Sequence, residues 1–143
     1  MKAIHMIKAG PASTALRSVE IPEPEILTPT QIKVQLKAAG VNPVDTKLRE
    51  RGVFYPDALP AILGCDGAGI VTGTGRDVGR FRPGDAVWLC LGGLGGAQGN
   101  YAGYTVLDES EAAAKPAQLD FEEAAALPLV LITAWEALFD RAR

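Results

Sequence analysis

Strand-like segments come early in this 143-residue chain and its longest helical pattern comes last, with no regular alternation between the two. A parallel doubly wound sheet needs strand and helix to alternate, because each crossover between parallel strands is usually a helix. That architecture is excluded here.

The clearest strand is 31–38, QIKVQLKA, which sets Ile32, Val34 and Leu36 on one face and Lys33, Gln35 and Lys37 on the other. A period of two is the mark of a half-buried strand. Residues 1–8 alternate less cleanly, and 67–74, 85–91, 103–107 and 112–115 are further candidates. Pro22, Pro24 and Pro29 mark a loop between strands. Arg82-Pro83-Gly84-Asp85 carries the chemistry of a type II turn, with glycine supplying the positive φ. The stretch 91–104 holds six glycines. It is either a long irregular loop or a glycine-lined surface approached by another backbone.

Three helices are expected. Asn42 caps one that starts at Pro43 and ends at Gly52. Asp120 and Glu123 form a capping box ahead of 124–126. Pro128 opens the third, 129–143, in which Leu131, Trp135, Leu138 and Phe139 share a face while Val130, Ile132 and Ala134 make the rest apolar too. A helix apolar all round is expected to be buried on every side. Because the sequence stops close behind it, this helix is expected to pack against a following domain, the chain being a domain unit or a truncated product.

Composition narrows the partners. A chain that is 48% apolar and 22% charged has the makings of one domain with a core. Net charge is −3 and the basic residues are scattered, so no stripe exists to neutralise phosphates, and nucleic acid is not an expected partner. The longest apolar stretch, 124–135, is shorter than the roughly 20 residues a bilayer requires and is broken by Pro128, so no membrane span is expected. The N-terminus lacks the apolar region of a secretory signal, which points to a cytoplasmic protein. Cys65 and Cys90 are too far apart for a CxxC unit and read as small buried side chains, with a disulfide left open.

Two glycine runs, Gly67-Ala-Gly69 through Gly73 and Gly73-Thr-Gly75 through Gly79, approximate a dinucleotide fingerprint. Such a fingerprint works where the glycines follow a strand and open a helix whose N-terminus meets the pyrophosphate. Ile70, Val71 and Thr72 are β-formers and a Pro-Gly turn follows, so these are read as strand and turn glycines.

Four motifs stand in fixed order: AAGVNPVDTKLRERG at 38–52, LGCDGAGIV at 63–71, VGRFRPGDAV at 78–87 and LPLVLITAWEAL at 127–138. Together they resemble the N-terminal domain of the medium-chain dehydrogenase/reductase family, in its zinc-free quinone oxidoreductase (zeta-crystallin-like) branch. The resemblance implies a GroES-like, partly open, mainly antiparallel β-barrel with peripheral helices. Residues 1–127 would be the substrate-side domain and 128–143 the start of the helix leading to a cofactor-binding Rossmann domain absent from this chain. In the family the phosphate fingerprint lies just beyond that helix. NADPH is therefore the implied cofactor of the full-length enzyme, and none is expected to bind tightly to this chain alone.

The resemblance also bears on metal. Zinc alcohol dehydrogenases place a Cys in the segment matching 40–43, a Gly-His-Glu in that matching 64–66, and a four-Cys lobe between 90 and 110. Here the residues are Asn42-Pro43 and Cys65-Asp66, with no cysteine after Cys90, and His5 is the one histidine. A zinc site needs three or four clustered ligands, so no metal ligands are expected.

Candidate site residues follow from the same motifs. Asn42 is a helix cap by its position; the resemblance adds a place at the wall of the nicotinamide and substrate cleft, with the side-chain oxygen capping and the NH2 group remaining a donor. Asp45 and Lys47 on the same helix are candidate catalytic groups, Lys47 and Arg49 reading equally as solvated helix charges. Asp66 reads as a carboxylate that accepts hydrogen bonds at the base of the cleft, with general acid work as its catalytic alternative. Thr133 matches a threonine near the nicotinamide ring and reads otherwise as a side chain bonding back to its own helix. Tyr55 and Tyr101 are candidates for the substrate pocket.

The function this implies is the substrate-side domain of an NADPH-dependent reductase of quinones or other α,β-unsaturated carbonyls, inactive by itself. A non-catalytic binding or assembly module is the alternative, with the apolar C-terminal helix mediating dimerisation or self-association. A zinc-type alcohol dehydrogenase domain is a third reading, for which the chain lacks the ligands.

Overall fold

A computed structural model describes residues 1–142. Eight strands build two sheets. The smaller has the order β2-β1-β4, from β1 (Lys2–Met6), β2 (Leu16–Glu20) and β4 (Ala61–Ile62). The larger runs β7-β3-β5-β6-β8, from β3 (Gln31–Ala39), β5 (Asp66–Thr74), β6 (Ala86–Cys90), β7 (Tyr104–Asp108) and β8 (Ala112–Ala114). Every pairing between these strands is antiparallel. The helices α1 (Ala12–Ala15), α2 (Pro43–Arg51), α3 (Phe121–Ala125) and α4 (Pro128–Trp135) lie outside the sheets.

The alternation in β3 does what its pattern predicts. Ile32 and Val34 are fully buried and join Val71, Val87, Leu89 and Leu107 in one core, while Lys33 turns outward to pair with Glu23. A second core gathers Met6, Leu48, Val53, Ala61 and Leu63 under α2. A third, made of Ala68, Ala124 and Ala125, seats α3 on the sheet. The capping box of α3 forms as expected, with Asp120 Oδ1 accepting from Glu123 N at 2.7 Å and Glu123 Oε2 from Asp120 N at 3.1 Å.

Gly84 takes φ +102° in the 82–85 turn, which closes with Asp85 N donating to Arg82 O at 3.1 Å. The glycine-rich segment turns out to be both things its composition allowed. Gly92, Gly93 and Gly95 have positive φ, as an irregular loop requires. Gly99 lies under the chain at 62–63, where a Cβ would sit 2.3 Å from Leu63 O.

Three elements are not announced by the sequence pattern: α1, β2 and β4. β2 is an outer strand whose residues are at most half-buried, and β4 has two residues, so neither displays a period long enough to detect. The C-terminal helix also differs from the single helix expected, because α4 gives way at Glu136 to a π-helical turn, Glu136–Arg141. Nor is it buried all round within this chain. Pro128 is buried and Leu129 half-buried, but Val130, Leu131, Ile132 and Trp135 are 47 to 62% exposed, since only the first turn reaches the sheet. Among the described residues no helix is long and apolar enough to cross a membrane.

Candidate active site

The N-terminus of α2, the start of β5 and the start of α4 meet at Asn42, Asp45 and Asp66, all buried. Burying polar and charged groups is costly unless each finds partners. Asn42 occupies the N-cap position of α2 in extended conformation, and its backbone N–H donates to Asp45 Oδ2 at 2.7 Å. Its side-chain Nδ2 donates to Asp66 Oδ2 at 2.8 Å. An amide oxygen facing that carboxylate would be repelled, which fixes the orientation of the amide. The NH2 group is a donor, as its chemistry requires, but one of its two hydrogens is committed to Asp66.

Asp66 has no exposed surface. Its second oxygen, Oδ1, accepts the backbone N–H of Leu129 at 2.9 Å. Asp66 thus has the hydrogen-bond donors that its burial demands, one from a side chain and one from the first turn of α4. Gly40 makes room for it, because a Cβ there would lie 3.0 Å from the Asp66 Cβ and 2.4 Å from Ala125 O.

Tyr101 enters from the glycine-rich segment and its hydroxyl donates to Asp45 Oδ2 at 2.9 Å. The ring lies against Gly64, whose hypothetical Cβ would be 2.6 Å from it. Burial first, and then the Asp45 carboxylate, push the phenol well above its ordinary range, so it is a neutral donor at any physiological pH. Asp45 carries both of its donors on one oxygen, while Oδ1 has no partner among the described residues. Replacing Tyr101 by phenylalanine is therefore expected to cost about 1–3 kcal/mol of stability. A shift in the urea midpoint at unchanged m-value would show it.

Both thiols adjoin these carboxylates. Burial raises Cys65 to about 11, helped by Asp45 and Asp66, and burial together with Asp66 raises Cys90 to about 12. Neither is a thiolate near neutral pH, so neither is an activated nucleophile. Because the folded values lie above the ordinary 9.0, their contribution to stability is intact below about pH 9 and lost as pH rises towards 11–12. Thermal melts from pH 8 to 11 should show this loss, and a Cys65→Ala, Cys90→Ala double variant should show less of it.

The remaining candidates are not drawn into the cluster. Lys47 stands on the exposed face of α2. Arg49 donates to Gly10 O and ties down the loop before α1. Tyr55 is exposed and lies against Gly96. Thr133 Oγ1 donates to Leu129 O at 2.8 Å, bonding back to its own helix. The glycines of 67–73 lie in β5 and open no helix, so they form no phosphate cradle. Among the described residues no three His, Cys, Asp or Glu side chains are grouped to hold a metal ion. What sequence reasoning missed is the Leu129 N–H and the link from Tyr101 to Asp45. No local pattern signals either, since the partners are 63 and 56 residues apart.

Cavity size alone does not mark this site. A space of about 510 Å³ lies between β6, β8 and α4, lined by Trp88, Cys90, Ala113, Pro128, Leu131 and Ile132, and it includes neither Asn42 nor Tyr101. A smaller one, about 300 Å³, borders Leu36, Ala38, Asn100 and Tyr101.

The antiparallel, barrel-like pair of sheets is the architecture of the GroES-like domain of medium-chain dehydrogenases and reductases. Residues 28–117 match the alcohol dehydrogenase GroES-like domain, and the chain belongs to that family. It is 40% identical over 109 residues to a zinc-type alcohol dehydrogenase-like protein of Staphylococcus aureus (strain COL), covering 76% of this chain and 31% of that protein. It is 35% identical over 145 residues to the quinone oxidoreductase of Rattus norvegicus, covering 100% of this chain and 42% of that one. The crystal structure of Escherichia coli quinone oxidoreductase complexed with NADPH superimposes with a TM-score of 0.84 at 33% identity, covering 97% of this chain and 40% of that one. The chain thus spans less than half the length of the relatives it matches.

Proposed function

We propose that this chain is the substrate-side domain of an NADPH-dependent reductase of quinones or related α,β-unsaturated carbonyls. The observation that carries the reading is the Asn42 amide, held by Asp66 through one hydrogen and retaining a second to donate. A carbonyl oxygen gains negative charge as a hydride reaches the conjugated carbon, and a fixed donor at that oxygen stabilises the change. Asn42 is preorganised for this because its backbone is pinned by Asp45 and its side chain by Asp66.

NADPH supplies the hydride in such chemistry. The residues of this chain do not fit the pyrophosphate end of that cofactor, since its glycines are strand and loop glycines, so no cofactor-binding step is assigned to them. Thr133 is the residue we place towards the nicotinamide. Zinc chemistry is disfavoured by the donor set itself: among the described residues no three His, Cys, Asp or Glu side chains are grouped to hold a metal ion, and both Asp66 oxygens already accept hydrogen bonds.

The test is NADPH oxidation with 1,4-benzoquinone or 9,10-phenanthrenequinone, run on this chain and on the full product of its gene, with metal analysis of both. Turnover by the full product, without bound zinc and without turnover by residues 1–143 alone, is the expected result. A zinc-loaded full product that oxidises alcohols and ignores quinones would overturn the reading.

A further inference from the structure

We propose that Asp66 is a positioning residue that caps α4 from outside the helix and holds the Asn42 amide, making the seating of α4 and the orientation of Asn42 one coupled event. A helix leaves its first N–H groups without internal partners, and a side chain at the N-cap commonly supplies the acceptor. The N-cap of α4 is Leu127, which offers no side-chain cap, and Pro128 at the next position has no N–H. The first N–H that the helix body presents is that of Leu129, and Asp66, 63 residues away in sequence, accepts it.

The other oxygen of the same carboxylate accepts Asn42 Nδ2. Asp66 is fully buried, and the ion pairs among the described residues, Lys33–Glu23 and Arg76–Asp77, do not involve it. Its charge is therefore balanced by these two hydrogen bonds, by the neutral Cys90 thiol bonded beside it and by the positive end of the α4 dipole. Removing either donor leaves the buried carboxylate relying more heavily on the other. Within the described residues, the α4 side chains beyond Pro128 and Leu129 are largely exposed, and the Leu129 N–H is its one hydrogen bond to β5. Displacing α4 would take the Leu129 N–H from Asp66, and Asp66 is the group that holds the Asn42 amide. The catalytic consequence rests on the proposed role of Asn42; the coupling itself does not.

The experiment is amide hydrogen exchange at Leu129 together with the side-chain NH2 resonances of Asn42, in the wild-type chain, Asp66→Asn and Asn42→Ala. In Asp66→Asn, Leu129 should exchange about tenfold faster, as expected for losing a bond to a charged acceptor, and the Asn42 NH2 signals should move towards free-amide positions. Asn42→Ala makes no contact with Leu129, yet it should also change Leu129 exchange severalfold. A purely structural cap would leave Leu129 untouched in that variant, and unchanged Leu129 protection there overturns the coupling. If Asp66→Asn does not fold, the Asn42→Ala arm decides alone. Coupling with normal quinone turnover in full-length Asn42→Ala would sink the functional reading and leave this one standing.

Discussion

On the reductase reading proposed above, Asn42→Ala in a full-length protein carrying this domain is expected to lower kcat for quinone reduction by about 10²- to 10³-fold, the range seen when one preorganised oxyanion donor is removed. KM should change far less, because the lost interaction strengthens only as charge develops on the carbonyl oxygen. The backbone bond from Asn42 N–H to Asp45 survives the substitution, so α2 keeps its start, while the fully buried Asp66 loses one donor and the fold about 1–3 kcal/mol of stability. Asn42→Asp makes the sharper comparison. It keeps the shape but sets a carboxylate against Asp66, repelling that neighbour and removing the donor. Steady-state kinetics of both variants against wild type, with urea melts as a control, would check it. A loss of stability with kcat unchanged would mean that Asn42 is a structural residue and nothing more.

How far this site could be read in advance depends on the range of its interactions. The cap at Asn42, the helix begun by Pro43 and the Asp120–Glu123 box are local, each set by residues within four positions, and each stands where the sequence places it. The β3 strand was legible because one of its faces is buried and the other solvated. The polar cluster was not. Asp66 reads as a carboxylate in need of donors, but that one would be the Leu129 N–H depends on how α4 returns to the sheet. Tyr101 could be singled out as an aromatic in a glycine loop, whereas its bond to Asp45 depends on that loop crossing beneath 62–64. The motif order supplied the family; it could not supply a hydrogen bond between distant segments.

The glycines of β5 show the same division between local pattern and tertiary cause, and they carry the largest expected effect on stability. Gly69 lies in the middle of the five-stranded sheet, opposite Leu36, where a Cβ would meet Gln35 O at 2.1 Å. The obstructing atom is backbone in a central strand, beside a register shift in β3, and it cannot rotate away as a side-chain tip would. Gly69→Val is therefore expected to cost about 3 kcal/mol or more, at the upper end of overpacking penalties, because β3 must move for the side chain to fit. Gly79, from the second glycine run, is the control. A Cβ there meets nothing within 4 Å, so Gly79→Ala should change stability by no more than about 0.5 kcal/mol. Urea denaturation of the two variants separates the interpretations. If β5 glycines served a dinucleotide, Gly69→Val would keep its stability and lose cofactor affinity; if they serve the passage of β3, the variant loses stability with no ligand present.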